Sequence, residues 1–152
     1  SFDPAFDGLE WTFAYVDAFR VWNGSHFDDV APHTVTMRFG GLSTPATESP
    51  TTPGAPVPGF SLPVPVGGFH DHLDITYNGP EDATSDGIYL IALTASVTGF
   101  DASDPFYFVM NRGLSEEDHE AAEEFVATVI VPAPGAAAPL LGLGLLAARR
   151  RR

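Results

Sequence analysis

The stretch GGFHDHLDITYNG, residues 67 to 79, carries the most chemically suggestive spacing in the chain. His70 and His72 stand two apart, Asp71 lies between them, and Asp74 follows two further on. In an extended strand the side chains at i and i+2 share a face, with β-carbons about 6 to 7 Å apart. Both imidazoles can then reach one ion. Zinc binds nitrogen at about 2.0–2.1 Å in a tetrahedral shell, so one or two further ligands are needed. Asp74 shares the face of the two histidines. His26 and His33, with Asp28 and Asp29, lie in a separate loop, NGSHFDDVAPH, that a sandwich can bring near. Asp71 points to the other face, where it suits an outer partner that orients a ligand. A donor set of nitrogen and oxygen without sulfur suits Zn, Cu(II), Ni or Fe. The opposing reading is that His70 and His72 are polar-face residues of an edge strand and bind nothing.

A second oxygen-rich stretch is NGPEDATSDG, which offers Asn78, Glu81, Asp82, Ser85 and Asp86 as hard ligands for calcium. Its spacing is not that of an EF-hand, and polar turns have the same composition. Enzyme signatures are absent. Ser103-Asp104 lies in DASDPF, outside any G-x-S-x-G motif, and no phosphate-cradling glycine loop or dinucleotide fingerprint occurs. Carboxylate pairs are inevitable among 20 acidic residues, so no one pair singles out a glycosidase. Trp11 and Trp22 are candidates for a sugar-stacking surface, with aromatic core as their ordinary role. The expectation is a protein that is not an enzyme.

Charge narrows the partners. The chain has 152 residues, 20 of them acidic, seven arginines and no lysine, for a net charge of −13. Four of the arginines close the chain as Arg149, Arg150, Arg151 and Arg152, which leaves three against all 20 acids. Such a body is repelled by phosphate backbones, which excludes nucleic acid, and it attracts cations. There is no cysteine, hence no disulfide, thiolate metal site or thiol nucleophile. SFDPAFDGLEW, at the start, has neither the basic end nor the apolar run of a signal peptide, so the chain reads as a mature form or a fragment.

The elements that must hold these residues read mainly as strands. LEWTFAYVDAFRVW (9–22) alternates, with Trp11, Phe13, Tyr15, Phe19 and Val21 on one face and Asp17 as the exception. TVTMRFGG (34–41) puts Val35, Met37 and Phe39 on one face. Residues 43–59, dense in Pro, Thr and Ser, read as a long loop. FSLPVPVGG, with two prolines, suits an edge strand. FHDHLDITY (69–77), IYLIALTASVTG and DASDPFYFVMN supply three more strands, the second apolar throughout. One helix, about 114–129, starts at Ser115 as N-cap, with Asp118 in a capping-box position and an apolar stripe of Ala121, Ala122, Phe125, Val126 and Val129. His119 and Glu123 form an ordinary solvated pair on its flank. The sum is an antiparallel β-sandwich, jelly-roll-like, over residues 1–130 with a late amphipathic helix, followed by a tail at 131–152.

In that tail, residues 136–148 are apolar throughout, with Pro139 near the start. The run is shorter than the about 20 residues a spanning helix needs, and the arginines after it favour the cytoplasmic side. A Val131-Pro132-Ala133-Pro134 motif, a short Leu/Gly/Ala-rich helix and a terminal arginine cluster resemble the PEP-CTERM sorting signal of bacterial surface proteins; Ala133 stands where that signal most often has Glu. The resemblance implies export, transient insertion of the tail in the inner membrane, recognition and cleavage by an exosortase-type enzyme, and delivery to the cell surface or extracellular polysaccharide matrix. Over residues 66–129 the body also resembles PEP-CTERM surface proteins with an H-x-H strand, a G-x-Y-L strand and a closing acidic helix, some of them linked to zinc starvation. This chain lacks the long histidine tracts of the zinc-linked forms. Together these readings point to an exported, non-enzymatic surface protein binding zinc or another divalent metal through His70, His72 and Asp74 with His26 and His33. The alternative is a structural or adhesive module that binds polysaccharide or self-assembles, without metal.

Overall fold

The computed structural model describes residues 4–39, 46–66 and 72–131. Their strands are β1 (Glu10–Tyr15), β2 (Arg20–Val21), β3 (Asp29–Val30), β4 (Val35–Phe39), β5 (Thr47–Glu48), β6 (Val57–Pro63), β7 (Leu73–Tyr77), β8 (Gly87–Val97) and β9 (Phe106–Arg112). One helix follows, α1 (Glu116–Phe125), whose last turns widen to π geometry at Val126–Ile130. All pairings are antiparallel. Six strands form one sheet in the order β3-β2-β8-β1-β6, with β9 also paired to β8; three form a second, β5-β4-β7. The molecule is therefore mainly β and sandwich-like. Its sheets are unequal, where a jelly roll divides eight strands between two sheets.

Strand β8 is the axis of the fold, and its unbroken apolar run has a simple cause. Tyr89, Ile91 and Leu93 point toward the small sheet, into a core with Phe13, Tyr15, Phe19, Val35, Met37 and Phe60. Ile88 and Leu90 point the other way, against Phe27 and Ala122 of the helix. A strand covered on both faces loses the alternation that a half-exposed one shows. Each fully buried Leu or Ile side chain contributes about 1.5–3 kcal/mol.

The alternating segment 9–22 is two strands, not one. Tyr15 lies opposite Leu93 and Arg20 opposite Leu90, so four residues of one chain face two of the other. The surplus of two preserves parity: Tyr15 and Val21 both stay on the core side. Asp17, the polar exception in the pattern, sits in this bulge and fastens it. Its carboxylate accepts from Arg20 Nε at 2.8 Å and from the Gly54 N–H at 2.7 Å. Burial opposes its ionisation, but the N–H groups of Gly54 and Ala18 and the Arg20 guanidinium outweigh that and hold Asp17 below the usual carboxylate range.

The Pro/Thr-rich stretch 43–59, expected as loop, contributes β5 and the start of β6. Strand β6 lies at the sheet edge beside β1, as its prolines require. A second bulge sets Gly59 and Phe60 against Phe13, and a Cβ on Gly59 would collide with the Phe13 carbonyl.

Ser115 caps α1, its hydroxyl accepting from the Asp118 N–H at 3.2 Å. The buried stripe differs from the expected one. Ala122, Phe125, Val126 and Ile130 face the sheet, whereas Ala121 is exposed and Val129 is 59% exposed. The wider turns after Phe125 advance the register by one residue, replacing Val129 with Ile130. The His119–Glu123 pair forms as expected, Nε2 to Oε1 3.5 Å, but only Glu123 is well exposed; the His119 side chain is 20% exposed. No helix among the described residues is long and apolar enough to cross a membrane.

Candidate functional site

The small sheet has a buried face and an open one. Along β7, Leu73, Ile75 and Tyr77 turn toward the core, while Asp74 and Thr76 are exposed. The partner strand β4 alternates likewise: Val35 and Met37 are fully buried, Thr36 and Arg38 half-exposed. The register puts Arg38 opposite Asp74 and Thr36 opposite Thr76. A shallow depression of about 650 Å³ runs over Thr36, Arg38, Asp74, Thr76 and Asn78.

Hydrogen bonds hold one end of this face. Asn78 Nδ2 donates to Thr34 Oγ1 at 3.1 Å and to Thr36 Oγ1 at 2.8 Å. The Thr34 hydroxyl in turn donates to the Glu48 carboxylate. These bonds link β4, β5 and the end of β7 across the open face.

The expected ligand residues divide among three places. His72 is exposed one residue ahead of β7, and alternation gives it the face of Asp74. His70 and Asp71 lie outside the described residues. His33 is on the core side, packed edge-on against Tyr77 with ring centroids 5.7 Å apart. His26 belongs to the β2–β3 turn, where its N–H donates to Asn23 Oδ1 at 2.9 Å and its ring meets Phe125 at 5.4 Å. So the fold brings His72 and Asp74 to one face and carries His26 and His33 to two others. Among the described residues no group of three His, Asp or Glu is gathered closely enough to hold a metal ion. Arg38 is a cation and so not among the ligand candidates that residue type suggests. Its position two after Thr36 in an alternating strand was the signal that placed it on the open face.

The calcium-like loop is built differently. Asp82 caps the short 3₁₀ turn Ala83–Ser85, accepting from the Thr84 hydroxyl and from its N–H at 2.9 Å, and these bonds hold its carboxyl below the usual range. Arg112 Nη2 donates to the Pro80 carbonyl at 3.0 Å, and the guanidinium lies 5.0 Å over the Tyr77 ring. The Tyr89 hydroxyl donates to the Ser85 carbonyl at 2.8 Å. Arg112 places a positive charge against this loop, and the carbonyls of Pro80, Asp82, Ala83 and Ser85 are engaged.

Ser103 is structural too. Its hydroxyl accepts from the Ala95 N–H at 3.0 Å and donates to the Asp104 carbonyl at 2.8 Å, stitching the approach to β9 onto β8. Trp22 is core, between Phe27 and Phe125 at 4.9 and 5.3 Å.

Comparison with protein-family models, with curated proteins and with solved structures returns no match for this chain.

Proposed function

We propose that this chain is an exported, non-enzymatic cell-surface or matrix protein that binds a divalent metal on the open face of its small sheet. The observation that carries the reading is the pair His72 and Asp74, both exposed on one face of a strand two residues apart. His70 would complete the set through its spacing of two from His72. His26 and His33 leave it, because each is packed against an aromatic ring elsewhere. Two imidazoles and one carboxylate suit zinc, or another divalent ion that takes nitrogen and oxygen. The acidic body supports the reading by concentrating cations near the face. Arg38, across from Asp74, opposes it and limits affinity. The Val131-Pro132-Ala133-Pro134 motif and the arginines 149–152 support export, exosortase processing and transient membrane insertion. Cleavage would occur beyond Val131, which is exposed where the helix ends.

The test is elemental analysis of protein purified without added metal or chelator, beside the His70→Ala/His72→Ala variant and Asp74→Ala. Near-stoichiometric zinc or copper in the parent, lost in the double variant and weakened in Asp74→Ala, is the expected result. No metal in the parent, with micromolar zinc failing to raise the melting temperature, sinks the metal reading.

A further inference from the structure

A second surface is unlike the first, and nothing in the metal reading uses it. Strand β8 ends at Val97, opposite Trp11 of β1. The chain then turns tightly, with the Phe100 N–H donating to the Val97 carbonyl at 2.9 Å and Gly99 at φ 88°. Only glycine takes that φ without strain, and the turn throws Phe100 outward. Phe100 meets the Phe6 ring edge-on, centroids 5.1 Å apart, yet stays 53% exposed. Trp11, half-buried, leans on Phe13 at 4.7 Å. Phe6, Trp11 and Phe100 thus come from three separate segments to line one groove of about 220 Å³, with Ser96 and Asp101 at its border.

We infer that this groove binds a single neutral pyranose residue of a glycan. The volume is below the range of drug-sized pockets and suits one ring. A pyranose has an apolar C–H face for an aromatic ring and hydroxyls at its perimeter for the Asp101 carboxylate. Aromatic side chains with polar neighbours serve both needs. Charge narrows the occupant further. Asp7, Glu10 and Asp101 adjoin the aromatic residues in the chain, and the whole protein carries −13. An acidic sugar or an anionic lipid surface is repelled. A second copy would bring the same carboxylates face to face, and three rings fall well short of the about 800 Å² per partner of a stable interface.

The test follows Trp11 fluorescence in a Trp22→Phe background, with calorimetry on the unaltered protein as a second readout. The probes are cellohexaose and chitohexaose, with oligogalacturonate as the acidic arm. Saturable binding of at least one neutral oligosaccharide is expected, weakened at least about tenfold by Phe100→Ala. The melting temperature of that variant should fall by no more than a few degrees, from loss of the Phe6 contact, and oligogalacturonate should not bind. His72→Ala should bind the sugar normally, which separates this site from the metal reading. No binding of either neutral probe at millimolar concentration overturns the inference. So does binding that survives Phe100→Ala, or acidic oligosaccharide binding as well as neutral.

Discussion

Asp17 shows what one polar residue in an apolar alternation does. Its carboxylate ties the bulge between β1 and β2 to Arg20 and to the Gly54 N–H. Because its folded pKa lies below the ordinary value, it favours the fold above the unfolded pKa of about 3.9, and that contribution is lost as pH falls through the lower folded value. Melting temperature followed downward from pH 5 should therefore fall, and the fall should be shallower in Asp17→Asn. Equal slopes would remove Asp17 from the account. At the alkaline end, burial pushes the phenols of Tyr15 and Tyr89 upward. The unfolded chain ionises them near pH 10 while the fold keeps them neutral, so stability declines above about pH 10. Tyr15 donates to the carbonyls of Val35 and Thr47 at 3.3 and 3.2 Å. Tyr15→Phe should cost about 1–3 kcal/mol in chemical denaturation, as buried acceptors lose their donor. Asp17 was visible in the sequence as an exception. That it fastens a bulge was not, because Gly54 is 37 residues away.

The element scale separates what periodicity can read from what it cannot. Strands β4 and β7 alternate in sequence and in burial, since one face is covered and the other open. Strand β8 was legible as buried but not as the central strand with a helix behind it. Leu93→Ala should cost about 2–5 kcal/mol by leaving a cavity between the sheets. Val129→Ala, on the exposed side of the helix, should stay within about 0.5 kcal/mol. A large loss at Val129 would mean the helix is rotated from the position described. Ser115→Ala should cost about 1 kcal/mol, measured by the same unfolding curves, through loss of the cap. The cap was readable because it depends on residues three apart. The buried stripe differs from the periodic one at Ala121, which is exposed, and at Val129, whose place Ile130 takes where the turns after Phe125 widen.

At the scale of the whole molecule, the missing lysines and the 20 acids dominate. Self-repulsion opposes compaction, and salt screens it. The melting temperature should rise between low salt and about 0.5 M sodium chloride; a flat or falling curve would show that local ion pairs outweigh the net charge. The mainly β character, the edge position of the proline-bearing strand, the helix start and the exclusion of thiol chemistry are all legible in the chain's residues. These rest on spacings of a few residues or on composition, which no packing can change. Alternation already puts His72 and Asp74 on one face; it takes the packed fold to leave that face open, set Arg38 across from Asp74, and carry His26 to Phe125 and His33 to Tyr77. The packed fold also decided that Phe6, Trp11 and Phe100 converge. Such meetings join residues tens of positions apart, and they are settled by which sheet covers which, a choice driven by burial summed over the whole chain.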